Sequence, residues 1–300
     1  MSSEMIVSLR WWGRRAGPIM MCAAGLWSGG LYAGESEDTV LHVFVSVLPQ
    51  AYFVERVGGP YVTVGTLVSP GQAPETYEPT AQQLVRLERA DVYFRIGMLF
   101  EERLLAKIQQ ALPGLNTVDT RTGIALRRTH SDHDRGSADP HIWLDPTLVK
   151  TQAATICEEL CRIDTTHAGQ YRQNLRAFVA DLEDVNERIA GRLAPLKGRR
   201  LYVFHPAFGY FCDAYGLIEV AVQAEGKEPS ARHLADLIEQ AQSDEMKTIF
   251  VQPEFSSKSA QTLAESIGAD VIELDHLSRD YLNNLLDMTE KIVKGLTRNE

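Results

Sequence analysis

From Thr166 to Leu196 the chain carries Tyr171, Leu175, Phe178, Leu182, Val185, Ile189 and Leu193 at spacings of four and three, with charged residues between them. That period is one long amphipathic α-helix. About 28 residues rising about 1.5 Å each reach roughly 40 Å, more than the width of a small lobe. Such a helix either bridges two lobes or forms a coiled-coil seam, and the βα units on both sides of it favour the bridge. Pro195 and Gly198 close it ahead of a strand starting at Arg200 or Leu201.

Elsewhere short apolar segments alternate with helical ones. Val40–Ser46, Tyr61–Leu67, Asp91–Ile96, Leu201–Phe204, Leu217–Val222, Thr248–Val251 and Asp270–Leu274 read as strands, and stretches such as Ala81–Ala90 and Ala231–Ala241 as helices. The alternation implies parallel sheets covered on both faces. The expected fold is α/β, two βα lobes with parallel sheets joined by a single long backbone α-helix. Its boundaries fall at residues 39–165, 166–197 and 198–300. No repeat of solenoid length is present.

The N-terminus reads as an export signal. Arg10, Arg14 and Arg15 precede an uncharged apolar run from Gly17 to Ala33, followed by acidic residues at 35, 37 and 38. This is a secretory n-region and h-region occupying residues 1–33, with cleavage near Ala33. Met20 and Met21 make a poor lipoprotein signal before Cys22, and the surroundings of Arg14 and Arg15 match twin-arginine export poorly. The remaining Cys157, Cys161 and Cys212 are an odd number and no disulfide framework. The four-residue spacing of Cys157 and Cys161 on a helix fits either a pair or small buried residues, burial being the simpler reading, and without a CxxC pair no thiolate zinc site is expected.

A net charge of −10, from 30 Lys+Arg against 40 Asp+Glu, repels phosphate backbones and anionic lipid, and no local basic stripe offsets it. No HExxH, GxSxG, P-loop or helix-opening GxGxxG is present, so hydrolytic-metal, nucleophile and phosphate chemistries lack their usual signatures.

Four segments carry chemistry. The loop Val68–Thr80 follows a strand and leads into a helix, and Glu75 or Glu78 could project from it. In Asp139–Pro146 two prolines restrict the backbone around His141. His205 and Asp275 each stand at the carboxyl end of an apolar strand, where open parallel sheets bind ligands. Taken singly, a strand-end His is more often a hydrogen-bonded structural residue, and an Asp there more often caps the next helix.

In order and spacing, Pro70-Gly-x-x-Pro-x-Thr-Tyr-Glu-Pro79, Asp139-Pro-His-Ile-Trp-Leu-Asp-Pro146, Phe204-His-Pro-Ala-Phe208, Glu228-Pro-Ser230 and Leu274-Asp275 resemble the zinc and manganese solute-binding proteins of ABC importers. The resemblance runs from Val40 to Leu296. It implies a metal site in the interlobe cleft with Glu75, His141, His205 and Asp275 as ligands. Glu75 stands where the family usually has His; a carboxylate binds Zn²⁺ at about the distance of an imidazole, roughly 2.0–2.2 Å. Two His and two carboxylates also suit Mn²⁺, but His205 occupies a position where manganese binders tend to carry a carboxylate, so Zn²⁺ is the lead and Mn²⁺ the alternative. His130 and His133 lie in a short acidic loop where zinc-type relatives carry a long His-rich one; capture site and solvated loop are equally open for it. Trp143 and Phe208 are candidate walls of the site, and Asp145 and Glu78 candidate outer acceptors. The implied protein is a periplasmic monomer that passes its ion to a membrane permease and catalyses nothing. A surface adhesin and a metalloenzyme are the competing classes.

Overall fold

The computed structural model describes residues 40–111, 114–128, 138–223, 230–255 and 258–297. The export signal at 1–33, Cys22 and the His130/His133 loop lie outside the described residues. Two four-stranded sheets are formed. In the first, β1 (Leu41–Val45), β2 (Val62–Thr66), β3 (Val92–Arg95) and β4 (Thr117–Asp119) run in the order β2-β1-β3-β4. In the second, β5 (Arg200–Val203), β6 (Ile218–Ala221), β7 (Thr248–Val251) and β8 (Asp270–Glu273) run in the order β6-β5-β7-β8. All pairings within both sheets are parallel. The two lobes thus share one topology. In each, the order reverses between the first and third strands, at β1/β3 and β5/β7, and ligand crevices open at the carboxyl ends of such switch points.

Helices α1 (Leu48–Gly58), α2 (Ala81–Glu88), α3 (Leu99–Ala111) and α4 (Pro146–Ile163) belong to the first half of the chain. The second holds α6 (Gly209–Tyr215), α7 (Ala231–Ser243), α8 (Lys258–Ile267) and α9 (Tyr281–Thr297). Between them α5 runs from Ala168 to Leu193, 26 residues, and one 3-10 turn, Ala194–Leu196, ends it around Pro195. The long helix inferred from periodicity is therefore present, slightly shorter at both ends.

Its buried stripe is Tyr171, Phe178, Leu182, Val185, Ile189 and Leu193; Leu175 is only half buried. The stripe packs on α1 and α4 from one lobe and on α9 from the other. Phe178 meets Tyr52 and Phe53 with ring centroids 5.9 Å apart in both cases, and Phe53 meets Tyr281 of α9 edge-on at 4.8 Å. One continuous core consequently includes Val43 and Phe94 of the first sheet, the α5 stripe, and Leu201, Phe250 and Ile292 of the second lobe. A satellite core lies under α7 and α8, around Phe204, Leu237 and Leu263. Among the described residues no helix is long and apolar enough to cross a membrane.

Cys157, Cys161 and Cys212 are free thiols, with Cys157 and Cys212 buried. Burial pushes the Cys157 thiol up to about 12, with Cys161 Sγ 3.9 Å away adding to the shift, which leaves it protonated and unreactive.

Phe178→Ala removes a fully buried ring at the junction of α5 with α1. It is expected to cost about 3–5 kcal/mol in denaturant unfolding, while Arg188→Ala on the exposed face should stay within about 0.5 kcal/mol.

Candidate metal centre

The segments of Glu75, His205 and Asp275 follow β2, β5 and β8, and that of His141 lies between β4 and α4. Glu75 lies in the 3-10 turn Pro74–Thr76, beyond β2. The loop is pinned at both ends. Gln72 Oε1 accepts the Ser69 N–H at 3.0 Å, and Gln83 Nε2 donates to the Leu67 carbonyl at 2.7 Å. Thr80 caps α2 by accepting the Gln83 N–H at 3.2 Å, the capping-box geometry that starts a helix. Tyr77, packed edge-on against Phe100 at 4.9 Å, anchors the middle of the loop.

His141 precedes the 3-10 turn Ile142–Leu144, and the residue after that turn, Asp145, caps α4 by accepting the Thr147 N–H at 2.7 Å, with Pro146 in the first helical position. Trp143 in this turn donates its indole N–H to the His276 carbonyl at 2.8 Å, and its own carbonyl accepts the Tyr281 hydroxyl at 2.6 Å. His205 follows β5; its N–H donates to Gln252 Oε1 at 2.9 Å, and its ring stacks on Phe255 at 4.4 Å.

Glu75, His141 and His205 offer ligand atoms that all lie within 4.8 Å of one another. His141 and His205 are nearly sealed from solvent, at 5% and 3% exposure. Each imidazole is oriented by an acceptor on its far nitrogen. His141 Nδ1 lies 2.7 Å from Asp139 Oδ1, and His205 Nδ1 lies 3.0 Å from Gln223 Oε1. Since both partners accept, each Nδ1 carries the proton and each Nε2 presents a lone pair to the cluster. Both Nε2 atoms and both Glu75 oxygens are buried without a hydrogen-bond partner.

Glu75 Oε1 and His205 Nε2 are 3.1 Å apart. Two lone-pair atoms held that close repel unless a cation or proton lies between them, and donor atoms on one tetrahedral zinc stand roughly 3.3 Å apart, as bonds of about 2.0–2.1 Å require.

The electrostatics fit a cation. Burial alone would raise the Glu75 pKa, but contact with His205 and the charges of His205 and His141 outweigh it and hold the carboxyl at about 2. Burial likewise favours neutral His141, yet the charge and hydrogen bond of Asp139 win and raise its pKa above the ordinary 6.5.

The structure does not bring Asp275 into this cluster. Its Oδ1 accepts the Leu277 N–H at 2.9 Å, which closes a local turn rather than capping the next helix, α9, that starts at Tyr281. The outer acceptors also differ from expectation. Asp145 is occupied as the α4 cap and Glu78 is exposed, while Asp139 and Gln223 do the orienting. Trp143 is fully buried with its ring 5.1 Å from that of His141, whereas Phe208 packs on Phe211 and the ring covering His205 is Phe255. Glu228 lies outside the described residues; Ser230 caps α7.

Comparison with known proteins agrees with this geometry. The family ZnuA, zinc-uptake complex component A periplasmic, matches residues 43–295. The chain belongs to this family. A crystal structure of ZnuA superposes with a TM-score of 0.82 at 40% identity, covering 86% of this chain and 100% of that one. A ZnuA deletion mutant with zinc bound gives 0.81 at 40% identity, covering 86% and 98%. The high-affinity zinc uptake system protein ZnuA of Bacillus subtilis (strain 168) is 27% identical over 259 residues, 82% of this chain and 81% of that protein. The ZnuA family is one of metal-uptake proteins, and its solved members share the two-lobed fold of this chain.

A proton on His141 Nε2 competes with a metal there, and the raised pKa means that this competition begins above pH 6.5 as pH falls. Zinc affinity is expected to drop through that range in chelator competition. Asp139→Asn, which removes the raising charge, should move the drop to lower pH and cost about 10–100-fold in affinity at higher pH.

Proposed function

We propose that this protein captures Zn²⁺ between its two lobes and delivers it to the permease of an ABC importer. The observation that carries the reading is the convergence of the buried, unpartnered Glu75 carboxylate and the Nε2 atoms of His141 and His205, contributed by both lobes, in a chain of the ZnuA family. Glu75, His141 and His205 hold the ion. Imidazole nitrogens favour zinc, and the carboxylate leaves Mn²⁺ as the second candidate. The ion is cargo, so the site must bind and release it rather than activate a water, and no catalytic step is assigned. The export signal expected at residues 1–33 places the mature chain in the periplasm, where it acts as a monomer.

The protein without residues 1–33, stripped with chelator and reloaded, should bind one Zn²⁺ and prefer it to Mn²⁺ in competition. His205→Ala should weaken zinc binding by orders of magnitude with the metal-free melting transition retained. Unchanged zinc binding by His205→Ala would remove the assignment, and a preference for Mn²⁺ would change the cargo.

A further inference from the structure

We infer that the fourth donor to the captured ion is His276, the residue after Asp275, and that the site is therefore three imidazoles and one carboxylate. The inference rests on the capture reading above and specifies its coordination.

His276 follows β8 and its side chain is wholly buried. Both of its ring nitrogens lack a hydrogen-bond partner. A buried imidazole with neither nitrogen satisfied is costly unless something absent from the polypeptide completes it. The ring is nevertheless held in place. Trp143 stacks on it with an interplanar angle of 21° and bonds its carbonyl, and Asn284 Nδ2 donates to the preceding carbonyl of Asp275 at 2.6 Å.

Its ring nitrogens lie, like the Asp275 carboxylate, outside the group whose donor atoms are all within 4.8 Å of one another, but the ring itself neighbours that group. Ring centroids lie 5.4 Å apart for His141 and His205, 5.9 Å for His141 and His276, and 6.1 Å for His205 and His276. Imidazoles sharing one tetrahedral zinc have centroids roughly 5 Å apart, given bonds of about 2.0–2.1 Å. The three rings thus form a near-equilateral triangle slightly wider than a metal-bound set, one that a small inward movement closes.

The surroundings repeat a pattern. Asp139 faces Nδ1 of His141, Gln223 faces Nδ1 of His205, and Glu254 Oε2 lies 3.7 Å from Nδ1 of His276. Glu254 is almost as buried, at 3% side-chain exposure, and its Oε2 has no other partner. An outer acceptor on the far nitrogen is the usual companion of a metal-bound histidine. The Asp275 carboxylate lies outside the group of Glu75, His141 and His205, and its Oδ1 accepts the Leu277 N–H. Three borderline nitrogens with one oxygen select Zn²⁺ over Mn²⁺ more strongly than two of each.

X-ray absorption at the zinc edge of the zinc-loaded protein tests this without a substitution. Scattering from three imidazoles is expected; scattering from two would overturn the inference. In chelator competition His276→Ala should lose more than about a hundredfold in zinc affinity, since loss of an outer partner alone commonly costs 10–100-fold, and should narrow the preference for Zn²⁺ over Mn²⁺. Asp275→Asn should bind as the parent does, with the metal-free melt of each variant checked first. Loss in Asp275→Asn with retention in His276→Ala would return the fourth position to Asp275 and leave the capture reading standing. Failure of the unsubstituted protein to bind zinc, or indifference to His141→Ala and His205→Ala, would instead remove the capture reading itself.

Discussion

The packing of α5 against helices of both lobes is the constraint on which the site depends. Glu75 and His141 come from the first half of the chain and His205 from the second, so their approach is only as well defined as the relation between the two sheets. A helix of 26 residues with seven buried side chains, clasped by α1 and α4 on one side and α9 on the other, sets that relation. Trp143 adds a second tie close to the centre, bonding the His276 carbonyl and receiving the Tyr281 hydroxyl. Arg127 contributes a third; its guanidinium donates to the Gly209 carbonyl and pairs with Asp213, while its N–H donates to the Tyr210 hydroxyl.

Within that frame the site holds electrostatic tension. Glu75 Oε1 and His205 Nε2 face one another at 3.1 Å, contact with His205 and the charges of His205 and His141 keep Glu75 ionised despite its burial, and burial raises Glu254 to about 7. A divalent cation at the focus would take the place of the proton that otherwise must separate these donors. Asp139 and Gln223 fix which nitrogen of each imidazole faces inward, and so convert general polarity into a directed donor set.

Much of the fold was legible because its strands are buried on both faces and read as apolar runs. Thr248–Val251 was delimited as observed, and the other six strands differ only at their ends. β4, Thr117–Asp119, was missed: three half-buried residues, two of them polar, carry no apolar signal. His205 was visible at a strand end, His141 in a block restricted by two prolines, and Glu75 was chosen over Glu78 only by the family resemblance; the structure gathers the three. The orienting groups were less visible. Asp145 stands immediately before Pro146, which marks a helix cap rather than a partner of His141, and Gln223 becomes an acceptor only because parallel pairing sets β6 beside β5. His276 was masked by its neighbour, since the spacing of a strand end does not say which of two adjacent polar residues turns inward.

Crystals of the zinc-loaded protein, with anomalous data collected on either side of the zinc absorption edge, test the central claim most directly. The account predicts one strong anomalous peak bounded by Glu75, His141 Nε2 and His205 Nε2, at bond distances of about 2.0–2.2 Å. A peak elsewhere, or none at that position in zinc-saturated crystals, would contradict it.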